Sequence, residues 1–158
     1  MKNPEKTNAI RILEQHKAVF SVHDYTATEA VSAAEVAAML NIEPERVFKT
    51  LVTVGKSNEH YVFVVPAERE LDLKKAASAV GEKNVSMVKS KELLPLTGYI
   101  HGGCSPVGMK KFFKTVFDVT AKDFDAVVFS GGKIGLQVEM AVGELEKIIP
   151  VIFADIKI

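Results

Sequence analysis

The chain has 158 residues, 47% of them hydrophobic, which is enough apolar material for one domain with a proper core, and we expect a single unit over residues 1–158. Twenty basic residues balance twenty acidic ones, so a general attraction to nucleic acid is excluded and any RNA contact has to be local. A lone cysteine, Cys104, excludes an internal disulfide and argues against structural zinc, and no window approaches the roughly 18 consecutive apolar residues of a membrane span, so a protein of the reducing cytoplasm with no membrane attachment is expected.

Thr7 is placed to cap a first helix reaching about His16, with Ile10, Leu13 and Lys17 on one face. Residues 19–23 then read as a strand. Ser32 followed by Glu35 forms a capping box for a helix carrying Val36, Met39 and Leu40, which Pro44 helps to end. Residues 47–54 are rich in β-branched side chains and are joined through the turn-forming run Gly55-Lys56-Ser57-Asn58 to a second strand at 61–65, a hairpin. Asp72 caps a helix over 73–80, closed by Gly81, and a shorter helix from Ser90 is expected to stop near Pro95.

The last third predicts strands at 115–119, 126–130 and 136–140, with Gly131-Gly132 turning between the last two, then a helix at 144–148 and a strand at 151–153. Most neighbouring strands are joined by turns too short for a parallel crossover. The expected class is therefore mixed α+β, with a largely antiparallel, strongly curved sheet and helices packed around it.

Two stretches carry candidate chemistry. Strand alternation puts Lys49 on the face of Val47 and Leu51, opposite Phe48, Thr50 and Val52. Its stem can lie along the sheet with the ammonium in water, or the ammonium can sit in a pocket and hold a ligand oxygen. The segment from Gly98 to Gly108 holds four glycines and Pro106. Adjacent Gly102 and Gly103 either make a tight surface turn or let backbone N–H groups face an ester oxygen, each such donor being worth about 10² to 10³ in rate.

Cys104 with His101 as its base would be a nucleophile, but no orienting carboxylate lies nearby in sequence, and a small apolar filler is the better reading. His16, His23 and His60 are scattered and read as surface or packing residues. Ser130-Gly131-Gly132-Lys133 lacks the spacing of a nucleotide-binding loop. Glu139 is either a solvated carboxylate or a base. Lys110, Lys111 and Lys114, helped by Lys74, Lys75 and Lys133, are either a solvated face or the local RNA contact.

Taken in order, Val47 to Leu51, Leu71 to Ala77, Thr97 to Gly108, Ser130 to Lys133 and Gly135 to Glu139 resemble the YbaK/EbsC family of trans-editing aminoacyl-tRNA deacylases, relatives of the editing domain of bacterial prolyl-tRNA synthetases. The resemblance spans nearly the whole chain. It implies a barrel-like mixed sheet and a pocket for the aminoacylated terminal adenosine of a mischarged tRNA, Cys-tRNA(Pro) being the best-known substrate. Lys49 matches the family's essential lysine, Thr50 the threonine beside it, and Gly102, followed by Gly103, the glycine facing the scissile carbonyl. Tyr25 and Ser130 match further pocket positions. The implied mechanism needs no protein nucleophile, metal or cofactor, because the substrate's own thiol attacks the ester.

Gln137 stands where one branch of the family has an aspartate, which keeps an acceptor but removes the charge. Residues 26–34 are shorter than in that branch and lack its aromatic side chain. Specificity for alanine or another small amino acid therefore stays open. So do a non-catalytic module that binds tRNA ends or prolyl-tRNA synthetase, and a hydrolase of small esters.

Overall fold

A computed structural model describes residues 6–25 and 33–158. Helix α1 (Asn8–Gln15) begins where the Thr7 hydroxyl accepts a hydrogen bond from the Ile10 amide, and it buries Ala9, Ile10 and Leu13. Strand β1 (Ser21–Asp24) follows. Helix α2 (Ala33–Leu40) starts beside the expected capping serine, Ser32, which lies outside the described residues. After a 3₁₀ turn (Pro44–Arg46), β2 (Phe48–Gly55) and β3 (His60–Pro66) form the expected antiparallel hairpin.

Helix α3 (Leu73–Val80) is capped as its sequence predicts, with Asp72 accepting from the Lys74 and Lys75 amides and Gly81 left-handed at its end. Strand β4 (Val85–Met87) was not legible, being three residues long. Helix α4 (Ser90–Thr97) runs past Pro95. Proline costs it one amide, but the Thr97 hydroxyl donates to Leu93 O at 2.8 Å and Gly98 N to Leu94 O at 2.8 Å, so the last turn still closes. The chain continues through β5 (Lys114–Asp118), a second 3₁₀ turn (Val119–Asp123), β6 (Val127–Ser130), β7 (Leu136–Met140), α5 (Val142–Glu146) and β8 (Ile152–Ala154).

The strands form two open sheets rather than the single barrel-like, strongly curved one expected. One has the order β1-β7-β6 and is antiparallel; the other is β4-β2-β3-β5-β8. Among the described residues a single isolated bridge, Val47 to Val128, joins them, so pairing does not propagate into a closed barrel. The second sheet is also less antiparallel than expected, because β3-β5 and β5-β8 are parallel. Those pairs are reached through long connections containing helices, which turn lengths between sequence neighbours do not report.

The sheets face each other across the main core. Phe48, Val52, Val62, Val64 and Phe117 of the larger sheet pack with Phe129, Val138 and Met140 of the smaller one and with Leu13 of α1. The alternate residues Phe63, Val65 and Val116 point the other way and pack with Ala76 and Ala77 of α3. Burial on both faces explains the unbroken apolar run of β3. Helix α2 covers the seam, Val36 and Ala37 packing on Val47 and Val128.

Asp118, fully buried at the end of β5, accepts from the Thr120 hydroxyl at 2.6 Å and the Ile156 amide at 3.1 Å, with Lys157 Nζ at 3.3 Å. Burial pushes its carboxyl up, but the hydrogen bonds and the lysine outweigh that and leave it below its ordinary value.

Candidate active site

The first residues of β2 emerge at the seam between the sheets, where a cavity of about 220 Å³ opens. Residues 47 to 51 all border it, so both faces of the strand end contribute, which alternation alone does not anticipate. Lys49 is half-buried and lies opposite Val65 in the hairpin. Among the described residues its ammonium has no ion-pair or hydrogen-bond partner. An unneutralised cation beside apolar walls is well placed for an anionic or carbonyl oxygen.

Thr50 borders the same cavity, and its Oγ1 is buried without a hydrogen-bond partner among the described residues. Leaving such a hydroxyl unmatched costs about 1–3 kcal/mol, a cost that a ligand group can remove. A second recess of about 210 Å³ shares Thr50, Leu51, Leu93 and His101 with the first and runs on to Met87 and Ser90. Thr50 thus borders both recesses.

Gly102 reaches the cavity from the glycine-rich loop, held at φ +86°, a conformation that an L side chain resists. Its N–H has no hydrogen-bond partner among the described residues. Gly103 differs from its expected role: its N–H is given to Ile100 O at 2.9 Å and it does not border the cavity. What it supplies is close packing, since a Cβ there would meet the Lys133 Cα at 2.8 Å. The far side of the loop is fixed by buried Tyr99, whose hydroxyl donates to Val107 O at 2.6 Å.

Ser130 and Gln137 border the cavity from the smaller sheet. They are register partners, and Gln137 in turn pairs with His23, so the three form one cross-strand row. Ser130 Oγ accepts from the Gly132 amide at 3.1 Å, and the Thr7 hydroxyl donates to Gly131 O, tying the turn to α1. His23 and Glu139 bind each other, Nε2 to Oε1 at 2.9 Å, with about a quarter of each side chain exposed, and neither borders the cavity.

Tyr25 gives its amide to Gly135 O at 2.6 Å and packs against the Val36, Val47 and Val128 cluster, adjoining the cavity without lining it. Most of the short segment 26–34 lies outside the described residues. Cys104 lines the cavity but is 5% exposed, and burial pushes its thiol up to about 12, only partly offset by the Thr97 hydroxyl. A thiol held neutral in that way is a poor nucleophile, in keeping with a filler role. The sequence reading missed Val36, Ala67 and Leu93 as walls and weighed His101 only as a base for Cys104.

Residues 27–148 match the model of the aminoacyl-tRNA editing domain. A protein of Enterococcus faecalis, provisionally named Cys-tRNA(Pro)/Cys-tRNA(Cys) deacylase EbsC, is 48% identical over 89% of this chain and 86% of its own. The proline–tRNA ligase of Pelobacter propionicus is 31% identical over 58% of this chain, which corresponds to 16% of that enzyme. A crystal structure provisionally described as a trans-editing enzyme for prolyl-tRNA synthetase superposes with a TM-score of 0.83 at 26% identity, covering 98% of this chain and 99% of that one. Sequence and architecture together place the chain in the aminoacyl-tRNA editing domain family.

Proposed function

We propose that this protein removes wrongly attached amino acids from tRNA by hydrolysing the aminoacyl ester, with Cys-tRNA(Pro) as its first substrate. The observation that carries the reading is that Lys49 and Gly102, from separate elements, border one cavity with an ammonium and an amide that no described residue engages. The adjoining recess supports it further: the cavity suits an aminoacyl group and the recess the terminal adenosine, with the ester beside Thr50 and His101, which border both.

In this reading the cysteinyl thiol attacks its own ester carbonyl. A sulfur–carbon bond forms, the carbon–oxygen bond to the ribose breaks, and the thiol proton ends on the departing ribose oxygen, leaving a thiolactone that water then opens. An intramolecular nucleophile has a very high effective concentration, so the protein has only to fix the conformer and stabilise the oxyanion. Lys49 and the Gly102 amide take the second task; Thr50, Ser130 and Gln137 fix the substrate, with Tyr25 and Gly103 supporting the pocket from behind. Neither a metal nor a cofactor enters these steps.

Purified protein is incubated with Cys-tRNA(Pro), Cys-tRNA(Cys), Ala-tRNA(Pro) and Pro-tRNA(Pro). Loss of the cysteinyl ester with Pro-tRNA(Pro) intact is expected, and unchanged ester in all four overturns the reading. Preferential loss from Ala-tRNA(Pro) would assign the pocket to alanine instead. The balanced charge of the chain favours a second reading in which weak RNA affinity makes it depend on prolyl-tRNA synthetase as partner. Capture of the synthetase without any deacylation would support that binding module.

A further inference from the structure

Beyond the cavity, the chain carries a second hollow of about 310 Å³, bordered by Ile12 of α1 and His16 just after it, by Met109, Phe112 and Phe113, and by Ile149. No carboxylate lines it. Phe112 is 49% exposed although it is a large apolar side chain with buried Phe113 beside it. It is flanked in sequence by Lys110, Lys111 and Lys114, all exposed, whose ammonium groups have no ion-pair or hydrogen-bond partner among the described residues. Lys75, by contrast, is held by Asp155 at 3.0 Å.

We infer that this lysine-flanked phenylalanine is a binding site for single-stranded RNA, one base stacking on Phe112 and the adjoining phosphates meeting Lys110 and Lys111. An exposed aromatic ring between free cations fits a chain of alternating bases and phosphates, because every base presents a π-face and every linkage a negative charge. A protein partner fits it less well, since lysine is depleted from the buried centres of protein interfaces. The charge is also local, as the neutral chain requires.

The site connects with the cavity through the backbone. Lys110 gives its amide to Thr97 O at 2.9 Å, and its stem lies over Gly98, where an added Cβ would meet Lys110 Cγ at 3.3 Å. From Gly98 to Gly102 the chain can extend at most about 14 Å. In the proposed function, on which this extension rests, the RNA is the unpaired 3′ end of the tRNA, held here while its last nucleoside enters the cavity.

The test separates the two readings by measuring binding apart from catalysis. The probe is a labelled, uncharged RNA hairpin with a four-nucleotide unpaired 3′ end, titrated with wild-type protein, Phe112→Ser, Phe112→Tyr and Lys110→Gln/Lys111→Gln over a range of salt. Phe112→Ser is expected to weaken binding about tenfold and Phe112→Tyr to restore it. The double lysine variant is expected to reduce the slope of log affinity against log salt by about 1.4, the value for two single-strand phosphate contacts. Cysteinyl-adenosine, too short to reach the site, should be cleaved equally by all four proteins.

Undetectable wild-type binding, or unchanged affinity and slope in the variants, overturns the inference. A defect that appears only when prolyl-tRNA synthetase is added would overturn it in favour of a protein interface. RNA binding with the expected variant pattern but no deacylation of any ester would leave this site standing and remove the catalytic reading.

Discussion

Lys49 on β2 and Gly102 on the glycine-rich loop border the same cavity, and neither the ammonium nor the amide is engaged by another described residue. If these two groups stabilise the oxyanion, Lys49→Ala should lower the deacylation rate by about 10²- to 10³-fold. Cys104→Ala should keep most of the rate, since burial holds its thiol neutral and a neutral thiol is a poor nucleophile. Single-turnover assays on Cys-tRNA(Pro) measure both. The opposite pattern would restore a cysteine nucleophile.

Gly102 and Gly103 should fail differently when each is replaced by alanine. At Gly102 the positive φ is the obstacle, costing about 1–2 kcal/mol, while the nearest atom to an added Cβ is Ile134 Cγ1 at 3.5 Å, an ordinary contact. At Gly103 the obstacle is the Lys133 backbone at 2.8 Å. Gly102→Ala should therefore lower kcat with a modest drop in Tm, and Gly103→Ala should lower Tm more by pushing the two loops apart. Thermal melts alongside turnover distinguish the two.

Thr50→Val should make the unliganded protein more stable and the enzyme worse. The change replaces a buried, unmatched hydroxyl by a methyl of the same shape, worth about 1 kcal/mol of stability, and removes the group available to a ligand. Urea unfolding should show a higher midpoint with an unchanged slope, and kcat/KM should fall. A lower midpoint would mean that the hydroxyl has a partner, such as ordered water.

Asp118 makes acid stability testable. Its carboxyl lies below its ordinary value in the folded state, so protonation favours the unfolded chain. The stabilisation is present above the unfolded value of about 3.9 and is lost as pH falls through the lower folded value. Asp118→Ala should cost about 3 kcal/mol near neutrality, since it leaves Lys157 and the Ile156 amide without their acceptor, and should flatten the stability curve below about pH 4.

Local signals were the legible ones. The Asp72 cap and left-handed Gly81 bound α3 as anticipated, and alternation in β7 gave its limits. What depended on distant residues was not legible. The parallel pairing of β5 with β3 and β8 and the isolated Val47–Val128 bridge that links the two sheets arise from packing. At the site, residue type pointed to Lys49 and the glycines at 102 and 103, and the family resemblance added Thr50, Ser130 and Gln137; the fold brings Lys49, Thr50, Gly102, Ser130 and Gln137 to one cavity. That the Gly103 amide would be spent on Ile100, or that Val36 of α2 would form a wall, depends on backbone paths that no local pattern encodes.

The contact of Thr7 with the Gly131 carbonyl gives the first helix an influence out of proportion to its length. At Gly132 an added Cβ would strike the Thr7 Cβ at 2.9 Å and the Tyr99 ring at 3.0 Å, so three remote stretches of chain converge there within touching distance. Clipping the protein ahead of β1 would unfasten that junction and leave Ser130 and the Tyr99 loop without a common brace. Such a shortened protein would lose the shape of the cavity together with Ala9, Ile10 and Leu13 from the main core.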